Sequence, residues 1–155
     1  MKIIKALGYC TITLLIITVA VLAVSLYTLL MVLSGALAEG TFNVDMGFDE
    51  ASETFRLTMN GNPRNNGLLG VNLNFQVAIV TMEGEYVAQN STRVYIAPGE
   101  QSTFSVNLII PAESLEEYNL LEGQGFMEIK FSIGTLEDLV SFTNTMRIGG
   151  GGGEE

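Results

Sequence analysis

Carboxylates are the only side chains in this sequence gathered in groups that could do chemistry. Three clusters stand out: Asp45, Asp49, Glu50 and Glu53; Glu113, Glu116 and Glu117; and Glu137-Asp138. Loop carboxylates can bind Ca²⁺, which takes about six to eight oxygen ligands, yet none of these spacings matches a known calcium loop. Paired carboxylates hydrolyse glycosides only across a cleft, which a small β domain without long insertions rarely supplies. The clusters therefore read as a solvated acidic surface. The chain has no His, which excludes Ser–His and Cys–His dyads and imidazole-bound zinc together. Its single Cys10 lies near the start, so the rest has no disulfide and no thiolate metal site. No catalytic residue, cofactor or metal ligand is expected, and the protein is expected not to be an enzyme.

The elements that would position any site begin with one apolar stretch. Ala6 to Ala38 is 33 residues without a charged side chain. A bilayer core of about 30 Å needs roughly 20 apolar residues of helix, so this segment can span with some tilt. It exceeds the apolar region of an ordinary signal peptide, about 7–15 residues. Its hydroxyls (Thr11, Thr13, Thr18, Ser25, Thr28, Ser34) can bond back to the helix's own carbonyls. The expectation is a transmembrane helix over residues 6–38, after a short basic cytoplasmic start at residues 1–5. Ala36-Leu37-Ala38 has the form of a signal-peptidase site, but the run before it is too long for ordinary cleavage.

Charge sets the orientation. From Glu39 onward there are 17 acidic and five basic residues, a net charge of −12, while Lys2 and Lys5 are the only charges before it. Positive residues near a span stay on the cytoplasmic side. The sequence thus predicts a single-pass protein of the cell membrane, N-terminus inside and C-terminal domain outside, with the bilayer as its first partner through residues 6–38. An acidic surface lacks the basic footprint that phosphate backbones require, so no nucleic acid is expected. Self-association and protein partners are left open by the sequence.

From Thr41 the hydrophobic period is two, the mark of half-buried strands. Phe42, Val44, Met46 and Phe48 share one face; Phe55, Leu57 and Met59 follow. The strongest strand comes after Gly70, with Val71, Leu73, Phe75, Val77 and Ile79 opposite Asn72, Asn74 and Gln76. Tyr86 to Ala88 and Arg93 to Ile96 read as strand pieces flanking a loop. Asn90-Ser91-Thr92 in that loop is a glycosylation sequon, making Asn90 a candidate modification site. Pro98-Gly99 fits a type II turn. Phe104, Val106, Leu108 and Ile110 line a strand that Pro111 ends, and a short helix is expected from there to about Leu121. Met127 to Ile133 alternate, and Val140, Phe142, Met146 and Ile148 point inward on the last strand. The predicted fold is mainly β: an immunoglobulin- or fibronectin-III-like antiparallel sandwich of seven to eight strands over residues 41–148, with one short helix. Residues 149–155, glycines and two glutamates, are expected to be a flexible tail. Sixteen large apolar side chains counted inward, Val44, Phe48 and Phe142 among them, imply that the domain folds alone when started near Gly40.

One segment interrupts the strands. In Asn60-Gly61-Asn62-Pro63-Arg64-Asn65-Asn66 the Asn-Pro step forces extended geometry and removes a ladder donor. It resembles the Asn-Pro signature of the group-2 late embryogenesis abundant proteins, the water-stress and hypersensitive-response (WHy) domain. Phe75-Gln76-Val77-Ala78, Gly84-Glu85-Tyr86-Val87-Ala88, Pro98-Gly99-Glu100 before Phe104-Ser105-Val106, and Phe131-Ser132-Ile133-Gly134-Thr135 follow in that family's order. The resemblance covers roughly Phe48 to Gly149, with Asn62 and Pro63 as its signature residues and Arg64 departing from the Asn or Tyr usual after the Pro. It implies a sandwich, often membrane-tethered, with a protective stress or desiccation role or a binding role and no catalytic residues. A second resemblance competes. Archaeal pilins and flagellins also join an uncharged N-terminal helix to a β-sandwich, and Lys5-Ala6-Leu7 looks like their processing site, although Gly8 departs from it. That resemblance implies a structural filament subunit.

Overall fold

The computed structural model describes residues 2–36 and 41–149. A long helix, α1 (Lys2–Ala36), precedes seven strands: β1 (Phe42–Asp49), β2 (Thr54–Gly61), β3 (Val71–Thr81), β4 (Tyr86–Ile96), β5 (Phe104–Pro111), β6 (Gly125–Thr135) and β7 (Val140–Gly149). A six-residue helix, α2 (Ala112–Glu117), and a 3₁₀ turn at Leu120–Glu122 join β5 to β6. The strands form two antiparallel sheets, ordered β1-β2-β5 and β4-β3-β6-β7. This is the predicted antiparallel sandwich with a long apolar helix ahead of it. Over Tyr9–Ala36 that helix is long and apolar enough to cross a membrane.

The core is built as the alternation requires. Val71, Leu73, Phe75 and Val77 of the central β3 are buried against Leu57, Met59, Val106, Leu108 and Ile110 of the smaller sheet. Phe75 gathers the rings, with Phe104, Phe42 and Phe131 at 5.4, 5.9 and 6.1 Å between centroids. At one side of the sandwich β4 and β5 meet, and Asn90 Nδ2 donates across the junction to Asn107 O at 2.6 Å. β1 and β7 are therefore the edges of the opposite side.

The helix starts at Lys2, so the short basic start is continuous with it. Three sequence expectations need correction. β4 is one continuous strand; Asn90 lies within it, exposed and paired to Val77, not in a loop. The soluble helix stops at Glu117 because Asn119 takes a left-handed backbone (φ 48°), and only a 3₁₀ turn resumes. Val44, Phe48 and Phe142 do sit on the inner faces of β1 and β7, yet nothing covers them and all three are exposed. Residues 37 and 38 of the expected span, which complete the Ala36-Leu37-Ala38 triplet, and the tail from residue 150 lie outside the described residues.

The largest departure concerns α1. Ser25, Thr28, Leu29, Val32 and Ala36 share one face of the helix and are buried, with Leu29 and Val32 inside the sandwich's core cluster. The hydroxyls of Thr18, Ser25 and Ser34 bond back to Leu14 O, Val21 O and Met31 O as expected. Thr28 does something else: its Oγ1 accepts the backbone N–H groups of Leu68 and Leu69 at 3.1 and 3.3 Å. The last three turns of α1 are thus an element of the domain, not a tether leading to it.

One buried polar atom is left unmatched among the described residues, Thr135 Oγ1. A buried hydroxyl without a partner keeps its desolvation cost. Thr135→Val, which keeps the shape and removes that cost, is expected to stabilise the protein by about 1 kcal/mol, read as a rise of a few degrees in Tm.

Candidate functional site

The uncovered inner faces of β1 and β7 flank an apolar cleft between the sheets. Its lower part, about 380 Å³, is walled by Leu33 and Ala36 of α1, Phe42 of β1, Phe75 of β3, Phe131 of β6 and Phe142 of β7. Asn144 is its one polar lining residue, and no charged side chain borders it. A second apolar cavity of about 190 Å³ lies along β6 and β7, where Met127 and Ile148 are register partners, with Leu115 and Leu120 in its wall. Above Phe42, the side chains of Val44, Met46 and Phe48 are 43–60% exposed, and those of Phe142, Met146 and Ile148 across the opening 46–54%. Both edges run without proline or bulge in their pairing, eight register pairs for β1 and ten for β7. An opening of this kind can hold a flexible apolar chain by burial alone, since it offers neither a nucleophile nor an acid–base pair.

The helix leads into this cleft. Leu22, Leu26, Leu30 and Leu33 follow at spacings of four, four and three residues, one stripe along α1. The first three are exposed and the last is part of the cleft wall.

The Asn-Pro signature lies elsewhere. Pro63 is buried; Asn62 is exposed, its N–H donating to Thr41 O (2.9 Å) and its carbonyl accepting from Gln101 Nε2 (3.0 Å). Asn62 borders a shallow depression on the outer face of the smaller sheet, together with Asn43, Asn60, Phe104 and Ser105. The residue that organises this end of the sandwich is Asn65, fully buried. Its Nδ2 donates to Leu69 O (2.7 Å) and Ile96 O (3.0 Å), and its Oδ1 accepts Gly67 N–H (2.9 Å). Its backbone clasps the β4–β5 turn, N–H to Glu100 O at 2.9 Å and carbonyl to Gly99 N–H at 2.7 Å. Neither strand nor helix periodicity singles out Asn65; the signal in the sequence is an Asn two residues before Gly67, the spacing of an Asx turn.

The acidic clusters do not converge, and among the described residues no group of three or more acidic or Cys side chains is placed to hold a metal. Asp138 is paired with Arg93 (2.6 Å), and Glu128 with Arg147 (3.0 Å). Asp49 is held below the usual carboxylate range, first by a hydrogen bond from Ser52 and then by the Ala51 N–H at 3.1 Å. Tyr118 is pushed up, first by the charge of Glu85 and then by that of Glu117. A depressed Asp49 contributes stability above its unfolded value that is lost as pH falls through the folded one. A raised Tyr118 contributes stability below its unfolded value that is lost as pH rises through the folded one. Asp49 is exposed and Tyr118 only half-buried, so the slopes are shallow. Tyr118→Phe is expected to flatten the alkaline limb of a Tm-against-pH curve and leave the acid limb unchanged.

The chain matches no protein-family model and no curated sequence. Solved structures match at low similarity. A protein from Archaeoglobus fulgidus is 17% identical with a TM-score of 0.45, over 70% of this chain and 94% of its own. A beta-glucuronidase from glycoside hydrolase family 2 is 12% identical with a TM-score of 0.41, over 68% of this chain. The Bacteroides uniformis beta-glucuronidase is 10% identical with a TM-score of 0.46, over 69% of this chain. The chain spans only 11% and 12% of the length of those two glycosidases. Likeness at this level carries nothing about activity or ligand.

Proposed function

We propose that this protein is a single-pass, surface-anchored, non-catalytic binding module whose inter-sheet cleft takes a hydrocarbon chain supplied by the bilayer. The observation that carries the reading is the leucine stripe of α1, which runs from the exposed helix into the cleft wall at Leu33. Ala6 to Val24, the uncharged part of α1 ahead of the docked turns, is nineteen residues. At 1.5 Å per residue that is about 28 Å, close to one bilayer core. The sandwich then begins where the bilayer ends, and the charge asymmetry puts it outside. An uncharged, aromatic-walled cleft with the single amide of Asn144 at its side suits a chain with a neutral head better than an anionic one. The resemblance of Asn62-Pro63 and its neighbours to the WHy domain adds a protective, stress-related setting to this proposal.

A filament subunit is the second reading. The half-embedded helix favours it, because a head rigidly joined to a protruding apolar helix can also pack helix against helix. N-terminal sequencing of the native protein separates the two. Retention of Lys2 and Lys5 in a membrane-extracted protein is the expected result. A mature N-terminus at Leu7, with recoverable filaments, would replace the anchor by the subunit.

A further inference from the structure

The end of the sandwich that receives α1 carries apolar loop tips pointing into solvent. Leu139, in the β6–β7 turn, is 81% exposed and Leu68, in the loop after the Asn-Pro step, is 64% exposed. Tyr95, near the end of β4, is exposed beside them, and Leu69, Tyr95 and Leu136 line one shallow depression that joins the two tips. The β6–β7 turn is an unusual one. Leu136, Glu137 and Asp138 all have positive φ (52°, 57° and 70°), a left-handed turn closed by Leu139 N–H to Leu136 O at 3.2 Å. Three consecutive residues with side chains in that region cost backbone strain, which persists where the turn serves something other than its own stability. Of the two acids at its centre, Asp138 is paired with Arg93, while Glu137 is exposed at the rim of the same depression and belongs at headgroup level rather than in hydrocarbon.

We infer that Leu68 and Leu139 form a membrane-seating surface, inserted into the outer interface of the same bilayer that α1 spans. The inference rests on the anchor reading above. Its geometry comes from Thr28, whose Oγ1 receives both Leu68 and Leu69 N–H groups and so fixes that loop against the helix. Thr28 is four residues beyond Val24, a rise of about 6 Å. That height falls within the headgroup and acyl boundary, into which interfacial apolar groups reach about 5–10 Å. The β6–β7 turn is at the same level, because Thr135 pairs with Val71, the first residue of β3 after the Leu68 loop. A leucine there exchanges water for hydrocarbon, and Tyr95 suits the headgroup region. The domain is strongly acidic, so the surface that accepts it is a neutral one, and the seating requires no anionic lipid. Two apolar tips beside a rigidly docked helix hold the sandwich at one tilt and keep the cleft above the bilayer.

The chain has no tryptophan, so single-tryptophan variants report each position separately. The full chain is reconstituted in vesicles of mixed phosphatidylcholines brominated near the glycerol, at the depth of the loop tips, and near the acyl methyl end, at the depth of Leu15. Leu15→Trp marks the spanning helix, and Ile109→Trp marks the far end of β5, near Pro111. The expected result is blue-shifted, bromine-quenched emission from Leu68→Trp, Leu139→Trp and Leu15→Trp, with water-like, unquenched emission from Ile109→Trp. If either loop position stays water-like while Leu15→Trp is quenched, the seating is overturned and the anchor stands. If no position is quenched, the anchor reading fails with it. Equal quenching at Ile109→Trp overturns the seating too, since contact would then be unspecific.

Discussion

Asn65→Asp is expected to unfold the end of the sandwich that receives α1, at a cost of about 3 kcal/mol or more. The side chain is fully buried, and its amide nitrogen feeds two carbonyls, Leu69 O and Ile96 O. A carboxylate of the same shape turns those contacts into oxygen facing oxygen. Ionised, it is a buried charge with only Gly67 N–H to meet it; protonated, it has one donor for two acceptors. The loop from Arg64 to Gly70 would be released from the β4–β5 turn, and with it the Leu68 and Leu69 N–H groups that hold Thr28. Neighbouring Asn66 is exposed, so Asn66→Asp should change little. Thermal unfolding of the two full-length variants in the same detergent makes the comparison. Equal midpoints would remove Asn65 from its organising role.

A chain started at Thr41 is expected not to reach the native packed state. This reverses what inward-facing counts alone imply, because the sandwich core includes Leu29 and Val32 of α1. Burying an aliphatic side chain contributes about 1.5–3 kcal/mol, so losing two removes roughly 3–6 kcal/mol. Domains of this size have about 5–15 kcal/mol in total. Truncation also leaves Leu68 and Leu69 N–H groups without Thr28, and uncovers the wall that Leu33 and Ala36 provide. A chain started at Leu22 keeps the docked turns and drops most of the exposed apolar helix. It should give a cooperative transition and aromatic near-ultraviolet dichroism, where the shorter chain shows neither. Val32→Asp in the full chain should reproduce the loss without any truncation, by placing an unpaired charge in the core.

Much of this fold is legible in the residues. The alternation of Val71 to Ile79 identifies both the central strand and its buried face, and Pro111 marks the end of β5. Where legibility fails, the cause is that a pattern of two describes a face and not what lies opposite it. Val44, Met46, Phe48, Phe142, Met146 and Ile148 alternate as well as any core strand, but β1 and β7 are edges and their inner faces meet an opening. Likewise, a stretch without charge from Ala6 to Ala38 looks like lipid-facing helix throughout, because a protein core and a bilayer select the same side chains. The division at Ser25 depends on which carbonyls and N–H groups come near, which no periodicity records. Asn65 is hidden for the same reason: its partner Ile96 is 31 residues away in the chain. The cleft follows from the edges and the docked helix together, so it was not readable from either.

The claim at the centre is that a membrane hydrocarbon chain occupies that cleft, and photochemical capture tests it most directly. A photoreactive phenylalanine analogue replaces Phe142, whose ring lines the cleft, in the full chain within its native membrane. The same analogue at Thr143, one residue on and facing the outer side of the sheet toward Ser132, is the control. Intact-mass analysis after irradiation should find a lipid-sized adduct at position 142 and none at position 143. A chain that stays bare at position 142, or that gains the same adduct at both positions, would contradict the account.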